Sequence, residues 1–364
     1  MEKKKFDLIV LGGGPGGYPA AIRAAQHGKQ VALIEMGELG GTCLNRGCIP
    51  SKALIAGSEM VSQFAHAKKF GIHFKDLSVD FAQLAKHKDS VVEKMRSGLH
   101  GLIAANKITL INGFGKFSTA NEIKVFGDHP CTVTAKQIII ATGSEPRSIA
   151  AFPFDHKKIH DSTSLLALKE LPASLIIVGG GVIGCEFASL YQALGVKVTI
   201  LELLPSLIAT EAQEVAEALT KALTRRGVAV KTGVQVQAIE KNGQGVQVKV
   251  ADGQVYDGQV YEADMALVAV GRSLNTHGIG LEKIGVQVLA NQMVSVNEKM
   301  ETSVPGIYAV GDIASKWWLA HVASHQGIVA ADNACGKKAQ MFYHAVPSVI
   351  FTDPEIATVG LSFS

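Results

Sequence analysis

Two stretches of this 364-residue chain repeat one another, and that repeat limits the possible folds more than any other feature. Phe6-Asp7-Leu8-Ile9-Val10-Leu11 runs into Gly12-Gly13-Gly14-Pro15-Gly16-Gly17. An alanine-rich helical stretch follows to Gly28, then Val31-Ala32-Leu33-Ile34 and Glu35. Later, Leu175-Ile176-Ile177-Val178 runs into Gly179-Gly180-Gly181-Val182-Ile183-Gly184, a helical stretch reaches Gly195, and Val196 to Leu201 ends at Glu202. In both copies the acid stands 23 residues beyond the first glycine. Each copy reads as strand, tight turn, helix, strand, acid. Gly12 and Gly179 make the turn, Gly14 and Gly181 let backbone approach a pyrophosphate, and Gly17 and Gly184 allow helix and strand to pack closely. The anion rests on the helix N-terminus, whose N–H groups have no partner within the helix. Glu35 and Glu202 are placed to accept hydrogen bonds from an adenosine ribose.

Two such copies imply two dinucleotides at separate sites, in a doubly wound α/β architecture of two Rossmann-like domains. Glu202 suits the free 2′-hydroxyl of NAD and would repel the 2′-phosphate of NADP, and no arginine lies within Val196 to Pro205. Val236 to Val260 alternates in a way that suggests a small antiparallel meander.

Between the first copy and the rest stands Gly40-Gly41-Thr42-Cys43-Leu44-Asn45-Arg46-Gly47-Cys48-Ile49-Pro50-Ser51-Lys52. On an ideal helix, positions i and i+5 are about 140° apart, so a bridge between Cys43 and Cys48 needs distorted backbone. Gly47 loosens the segment, and Pro50 is expected to remove a helical hydrogen bond and push Ile49 off helical angles. A strained or exposed bridge of this kind opens easily, which suits catalysis better than stapling. Lys52, four residues after Cys48, falls on the same helix face. With a thiol pair after the first glycine turn, the economical assignment is FAD at the first copy and a nicotinamide dinucleotide at the second.

Composition removes other classes. The chain is 47% hydrophobic and 18% charged, globular with core for two or three domains. A net charge of +3 gives no case for nucleic acid or a membrane surface. Five cysteines are an odd number, too few for a disulfide framework in a chain this long, and they point to a reducing compartment where any disulfide is catalytic. The nucleotide-binding sequence starts at Phe6, leaving no stretch to read as a targeting peptide, and no apolar run is long enough to span a bilayer. The reading is a cytoplasmic protein.

The cysteine segment resembles the redox-active segment of the pyridine nucleotide-disulfide oxidoreductases, especially their dihydrolipoamide-oxidising members, and the likeness runs from Phe6 to Gly360. It implies FAD and NAD as cofactors and a Cys43–Cys48 redox disulfide. Substrate thiolate attacks Cys43, Cys48 passes electrons to FAD, and reduced FAD gives hydride to NAD. Lys52 is implied to pair with Glu186 near the flavin, and both count with the cysteines as catalytic. On the FAD side the resemblance adds Gly41, Thr42, Lys52, Gly115, Thr142, Gly143, Asp312 and Ala320; on the NAD side, Val234, Ala269, Gly271 and Arg272. Asp312 matches an aspartate that contacts the ribityl chain, and Gly115 a position that meets the adenine by backbone. Taken alone, Gly115 reads almost as readily as a turn between strands, and His321 as a structural histidine. Gln326 stands where many relatives carry glutamate.

The implied domains are 1–146 for FAD, 147–274 for NAD, 275–345 for the second FAD or central part, and 346–364 as the start of an interface domain that is largely missing here. In the full-length form the resemblance implies a homodimer serving lipoyl domains of 2-oxoacid dehydrogenase or glycine-cleavage complexes. A chain ending at Ser364 is expected to keep FAD and the thiols but lose most lipoamide turnover. Glutathione- or mercuric-reductase-like activity and a non-catalytic flavin-binding subunit are the rival readings.

Overall fold

The computed structural model describes residues 2–73, 75–251 and 259–361. It forms two compact units, one of Met1–Cys48, Val92–Glu145 and Ser273–Val346, the other of Ile49–Val91, Pro146–Arg272 and Pro347–Ser364.

The first unit is built on a parallel sheet whose strand order is Ile307–Ala309, Gln137–Ile140, Leu8–Leu11, Val31–Glu35, Thr109–Asn112. The strands are nearly unbroken Ile, Leu and Val because both sheet faces are covered. Leu8, Val10, Leu33 and Ile139 enter one core, and Ile9, Leu11, Ile34, Ile138 and Ile140 enter the other. Helix Gly17–Gln26 buries Gly17, Ala20, Ala21 and Ala24, small residues at the spacing of a single helix face. Helix Ala320–Ala334 is tied to it by Arg23 and His27, which reach Asp332 at 2.6 and 2.7 Å. A second sheet, Glu2–Lys5, Cys131–Thr134, Glu122–Phe126 and Phe114–Thr119, completes this unit.

The second unit repeats the plan. Its parallel sheet runs Ile159–His160, Met265–Val268, Ser174–Val178, Lys197–Leu201, Ala229–Lys231. Leu175 and Ile177 enter one core, Ile176 and Val178 the other. The expected meander is present as antiparallel strands Val236–Asn242, Gly245–Val250 and Val260–Ala263, so it runs on to Ala263. Its residues 252–258 lie outside the described residues, as do residues 362–364 of the last segment.

The chain passes between the two units at 48/49, 91/92, 145/146, 272/273 and 346/347. Residues 49–91, read from the sequence as part of the first nucleotide-binding region, instead group with the inserted unit. The reason is burial: Leu54, Ile55 and Phe81 join Leu165, Tyr191 and Leu223 in one core. Residues after 346 group there too, through buried Ile350 and an Asp353–Arg226 ion pair at 2.6 Å. Among the described residues no helix is long and apolar enough to cross a membrane.

Candidate active site

In the first unit, strand Leu8–Leu11 ends at Gly12, whose φ of +107° favours glycine. A Cβ on Gly12 would lie 2.2 Å from the Ala141 carbonyl oxygen, and one on Gly17 only 1.8 Å from that of Gly12. These glycines are required by close packing. Above Gly14 a Cβ would meet nothing nearer than Gly41 Cα at 3.7 Å, so the turn offers bare backbone to a ligand. Glu35 closes the strand beyond, its Oε2 accepting from Gly13 N at 2.6 Å and its Oε1 from Gly37 N at 2.7 Å. Each carboxylate oxygen keeps lone-pair capacity for a ribose hydroxyl.

The second unit reproduces this atom for atom. A Cβ would lie 2.4 Å from Ala269 O at Gly179 and 2.0 Å from Gly179 O at Gly184, while at Gly181 it would meet nothing within 4 Å. Glu202 Oε2 accepts from Gly180 N, and its Oε1 accepts from Leu204 N at 2.6 Å. Even the crossing strand matches: Ala141 N donates to Leu11 O, and Ala269 N to Val178 O. Val234 buries its side chain in the core and donates its N–H to Glu202 O at 2.8 Å, so it supports the acid through backbone. Gly271 has φ +109° and accepts from Arg147 N at 3.1 Å; Arg272 opens strand Arg272–Leu274.

Other expected cofactor residues take distinct places in the first unit. Thr142 Oγ1 donates to Asn275 O at 2.8 Å, and Gly143, at φ +66°, accepts from Asn275 N at 3.0 Å. Asp312 accepts from Ser144 Oγ. Ala320 opens helix Ala320–Ala334. Gly115 lies inside strand Phe114–Thr119 rather than in a turn, and a Cβ there would lie 2.5 Å from Leu11 Cδ1.

Cys43 lies in helix Gly41–Arg46 and Cys48 opens helix Cys48–Ala67; both are half-buried. The break between them falls at Gly47, with φ −147° and ψ −112°. Pro50 does not disturb the helix, which corrects the expectation for Ile49. It is the third helical residue, where no intrahelical donor is called for, and Ile49 is helical beside it. Asn45, not singled out from the sequence, ties the segment down by donating from Nδ2 to the carbonyls of Glu38, Leu39 and Gly41 at 3.2, 3.1 and 3.0 Å. Its only sequence signal was its place between the two cysteines. Tyr18 was also missed: burial raises its phenol pKa, with Cys43 adding to the effect.

In the second unit, Lys52 Nζ donates to Glu186 Oε1 and Oε2 at 2.9 and 2.8 Å. Phe351 serves both partners. Its N–H reaches Glu186 Oε1 at 3.0 Å, and its ring centroid lies 4.5 Å from Lys52 Nζ. Glu186 is only 8% exposed, and a carboxylate so buried needs these donors. Adjacent Cys185 is no candidate for chemistry. Burial, helped by Glu202 and Glu186, pushes its thiol up to about 12, and Sγ donates to Gly180 O at 3.3 Å. Among the described residues no cluster could hold a metal ion.

The open backbone above Gly14 and Gly181, each with an anchored acid at the end of the next strand, fits two dinucleotides. With a thiol pair following the first turn, these features define a nucleotide-linked disulfide oxidoreductase. The profile of the pyridine nucleotide-disulphide oxidoreductases matches residues 6–327. The chain is 50% identical over 359 residues to dihydrolipoyl dehydrogenase of Chlamydia pneumoniae, covering 99% of this chain and 76% of that one. Against dihydrolipoyl dehydrogenase of Thermus scotoductus it is 44% identical over 360 residues, covering 99% and 77%. LpdA from Mycobacterium tuberculosis has the same fold, with a TM-score of 0.91 at 30% identity over 99% of this chain and 78% of that one. The HOCl-induced flavoprotein disulfide reductase RclA of Escherichia coli gives a TM-score of 0.87 at 27% identity, covering 99% and 78%. The chain belongs to the pyridine nucleotide-disulphide oxidoreductase family. It is an NAD-dependent oxidoreductase with FAD and NAD as its cofactors.

Proposed function

We propose that this chain oxidises dihydrolipoamide to lipoamide with NAD+, releasing NADH and a proton. The observation that carries this reading is the Cys43–Gly47–Cys48 break, with Lys52 anchored on Glu186, in a chain holding two dinucleotide turns. The relatives named dihydrolipoyl dehydrogenase support the substrate.

The thiol chemistry follows from exchange rules. A substrate thiolate attacks Cys43 Sγ, the Cys43–Cys48 bond breaks, and Cys48 leaves as a thiolate. The second substrate thiolate attacks the substrate sulfur of the mixed disulfide, closes the lipoamide ring and releases Cys43. Two electrons now reside in the dithiol pair. Lys52, four residues along the helix from Cys48, favours the Cys48 anion, as does the helix N-terminus where that cysteine sits. Phe351 and Glu186 keep the ammonium from straying. FAD, when bound, supplies the two-electron relay from the dithiol to nicotinamide. Gly12, Gly14, Gly17, Glu35, Gly41, Thr42, Gly115, Thr142, Gly143, Asp312 and Ala320 would hold it, with Lys52 at its reactive end. Gly179, Gly181, Gly184, Glu202, Val234, Ala269, Gly271 and Arg272 would hold NAD, and Glu202 selects against a 2′-phosphate.

The natural partners on this reading are lipoyl domains of 2-oxoacid dehydrogenase or glycine-cleavage complexes, met as a homodimer in the reducing cytoplasm. The test is anaerobic rapid mixing of the FAD-loaded chain with dihydrolipoamide, with and without NAD+, beside glutathione with NADP+. A flavin spectral change on adding the dithiol, and NADH formed in preference to NADPH, are expected. A spectrum that dihydrolipoamide leaves untouched, or faster turnover with glutathione and NADP+, would sink the proposal.

A further inference from the structure

Gln326 lies in helix Ala320–Ala334 with none of its surface exposed. The other inward residues of that helix include Val322, Ala323, Val329 and Ala330, so an amide there is an exception. A buried amide costs free energy unless both its ends are satisfied. Both are. Gly311 N can only donate, which fixes Oε1 towards it at 2.8 Å and leaves Nε2 to donate to Tyr343 Oη at 2.8 Å. The helix cannot drift from this place, because a Cβ on Gly327 would lie 2.2 Å from Gly16 O, in the first glycine turn.

Gly311 is the point at which the chain leaves strand Ile307–Ala309 and turns, at φ +76°, to present Asp312. Ser144 Oγ grips the Asp312 carboxylate from one side. The Gly311 N–H, in the Val310–Gly311 peptide one unit upstream of Asp312, has Gln326 Oε1 as its acceptor. We propose that Gln326 is a positioning residue for the flavin site: its carboxamide, braced by Tyr343, holds the Val310–Gly311 peptide, from which the chain turns into Asp312, so that the Asp312 carboxylate meets FAD. This rests on the reading that Asp312 holds FAD.

The experiment titrates FAD into the apo-form of the whole chain, following flavin fluorescence and visible circular dichroism, with NAD affinity and thermal midpoint measured in parallel. Gln326→Met keeps the volume but removes both hydrogen bonds. It is expected to weaken FAD binding about tenfold and alter the flavin dichroism, with NAD affinity unchanged. Gln326→Glu is expected to return FAD affinity to within about twofold, because a carboxyl accepts from Gly311 N in either protonation state. FAD affinity and dichroism of the wild type in Gln326→Met would overturn the proposal, as would a Gln326→Glu variant no better than Gln326→Met. If Gln326→Met does not fold, Tyr343→Phe is read instead. It frees only the far end of the amide and is expected to weaken FAD about threefold, with wild-type binding counting against the proposal. Asp312→Ala separates the two levels. Weakened FAD there, with Gln326→Met intact, sinks only the role of Gln326; unaffected FAD in Asp312→Ala sinks the flavin-site reading itself.

Discussion

A thiol reacts as its anion, so burial divides the five cysteines of this chain into groups of different reactivity. Cys131 and Cys185 are buried, whereas Cys43, Cys48 and Cys335 are half-buried. Cys185 sits next to the charged residue Glu186, yet burial and two nearby carboxylates hold its proton up to about 12. Burial also raises the Cys335 thiol, against the opposing pull of Lys29. Cys43 and Cys48 stand instead at a helix break with a lysine one turn on. The reduced native chain, treated with iodoacetamide near neutral pH, is therefore expected to label Cys43 and Cys48 at least about ten times faster than Cys335. Cys131 and Cys185 should label only after denaturation, and peptide mass mapping reads all five. Native labelling of Cys185 would show that its pocket opens, and would remove the distinction between half-buried and core thiols. The sequence could not make that distinction between Cys185 and the other pair, because spacing identifies a motif but burial decides protonation.

At the scale of elements, the glycine turns were legible because their requirement is local and steric: a Cβ at Gly12, Gly17, Gly179 or Gly184 collides with backbone of the same turn or the strand beside it. What the sequence hid was tertiary. It named Gly47 and Pro50 together as disturbing the helix; the break came at Gly47, whereas a proline in the first turn costs no intrahelical hydrogen bond and Ile49 stayed helical. It gave no sign that residues 49–91 would bury Leu54 and Phe81 in the inserted unit. Nor did it show Asp155, which ties the turn before strand Ile159–His160 to the meander. Asp155 Oδ1 accepts from the N–H groups of Lys157, Lys158 and Ile159 at 2.9, 2.8 and 2.7 Å, and Oδ2 meets Lys241 Nζ at 2.7 Å. Burial pushes this carboxyl up, but Lys241 and the three N–H donors outweigh it and hold the acid well below the usual carboxylate range. A depressed folded-state pKa adds stability above the unfolded value near about 4, and that stability is lost as pH falls through the folded value. Asp155→Asn should therefore lower the urea midpoint of the second unit at neutral pH, and the gap from wild type should narrow steadily as pH drops below about 4. A gap that stays constant down to about pH 2 would mean that shape, rather than charge, explains the role of Asp155.

For the molecule as a whole, the two units carry the same turn, the same anchored acid and the same crossing strand, each inside its own core. Two self-contained copies need not depend on each other for their local geometry. Gly17→Ala forces a Cβ to 1.8 Å from Gly12 O, and Gly184→Ala forces one to 2.0 Å from Gly179 O; neither backbone can yield without moving the helix N-terminus that a pyrophosphate would meet. Each substitution should then remove one nucleotide and spare the other. Gly17→Ala is expected to give a colourless chain that still binds NADH at close to wild-type affinity. Gly184→Ala is expected to stay yellow while NADH affinity falls by at least about a hundredfold, the loss of two or more hydrogen bonds to the diphosphate. The decisive readings are flavin absorbance after gel filtration and NADH binding by calorimetry, made on both variants. The two sites also matter differently to the thiols: Gly184→Ala, which keeps its flavin, should still show the spectral response to dihydrolipoamide, whereas NAD+ should no longer reverse it. If either alanine strips both nucleotides together, the repeat is not a pair of independent sites. The assignment of FAD to the first turn and NAD to the second would then lose the structural ground on which it stands.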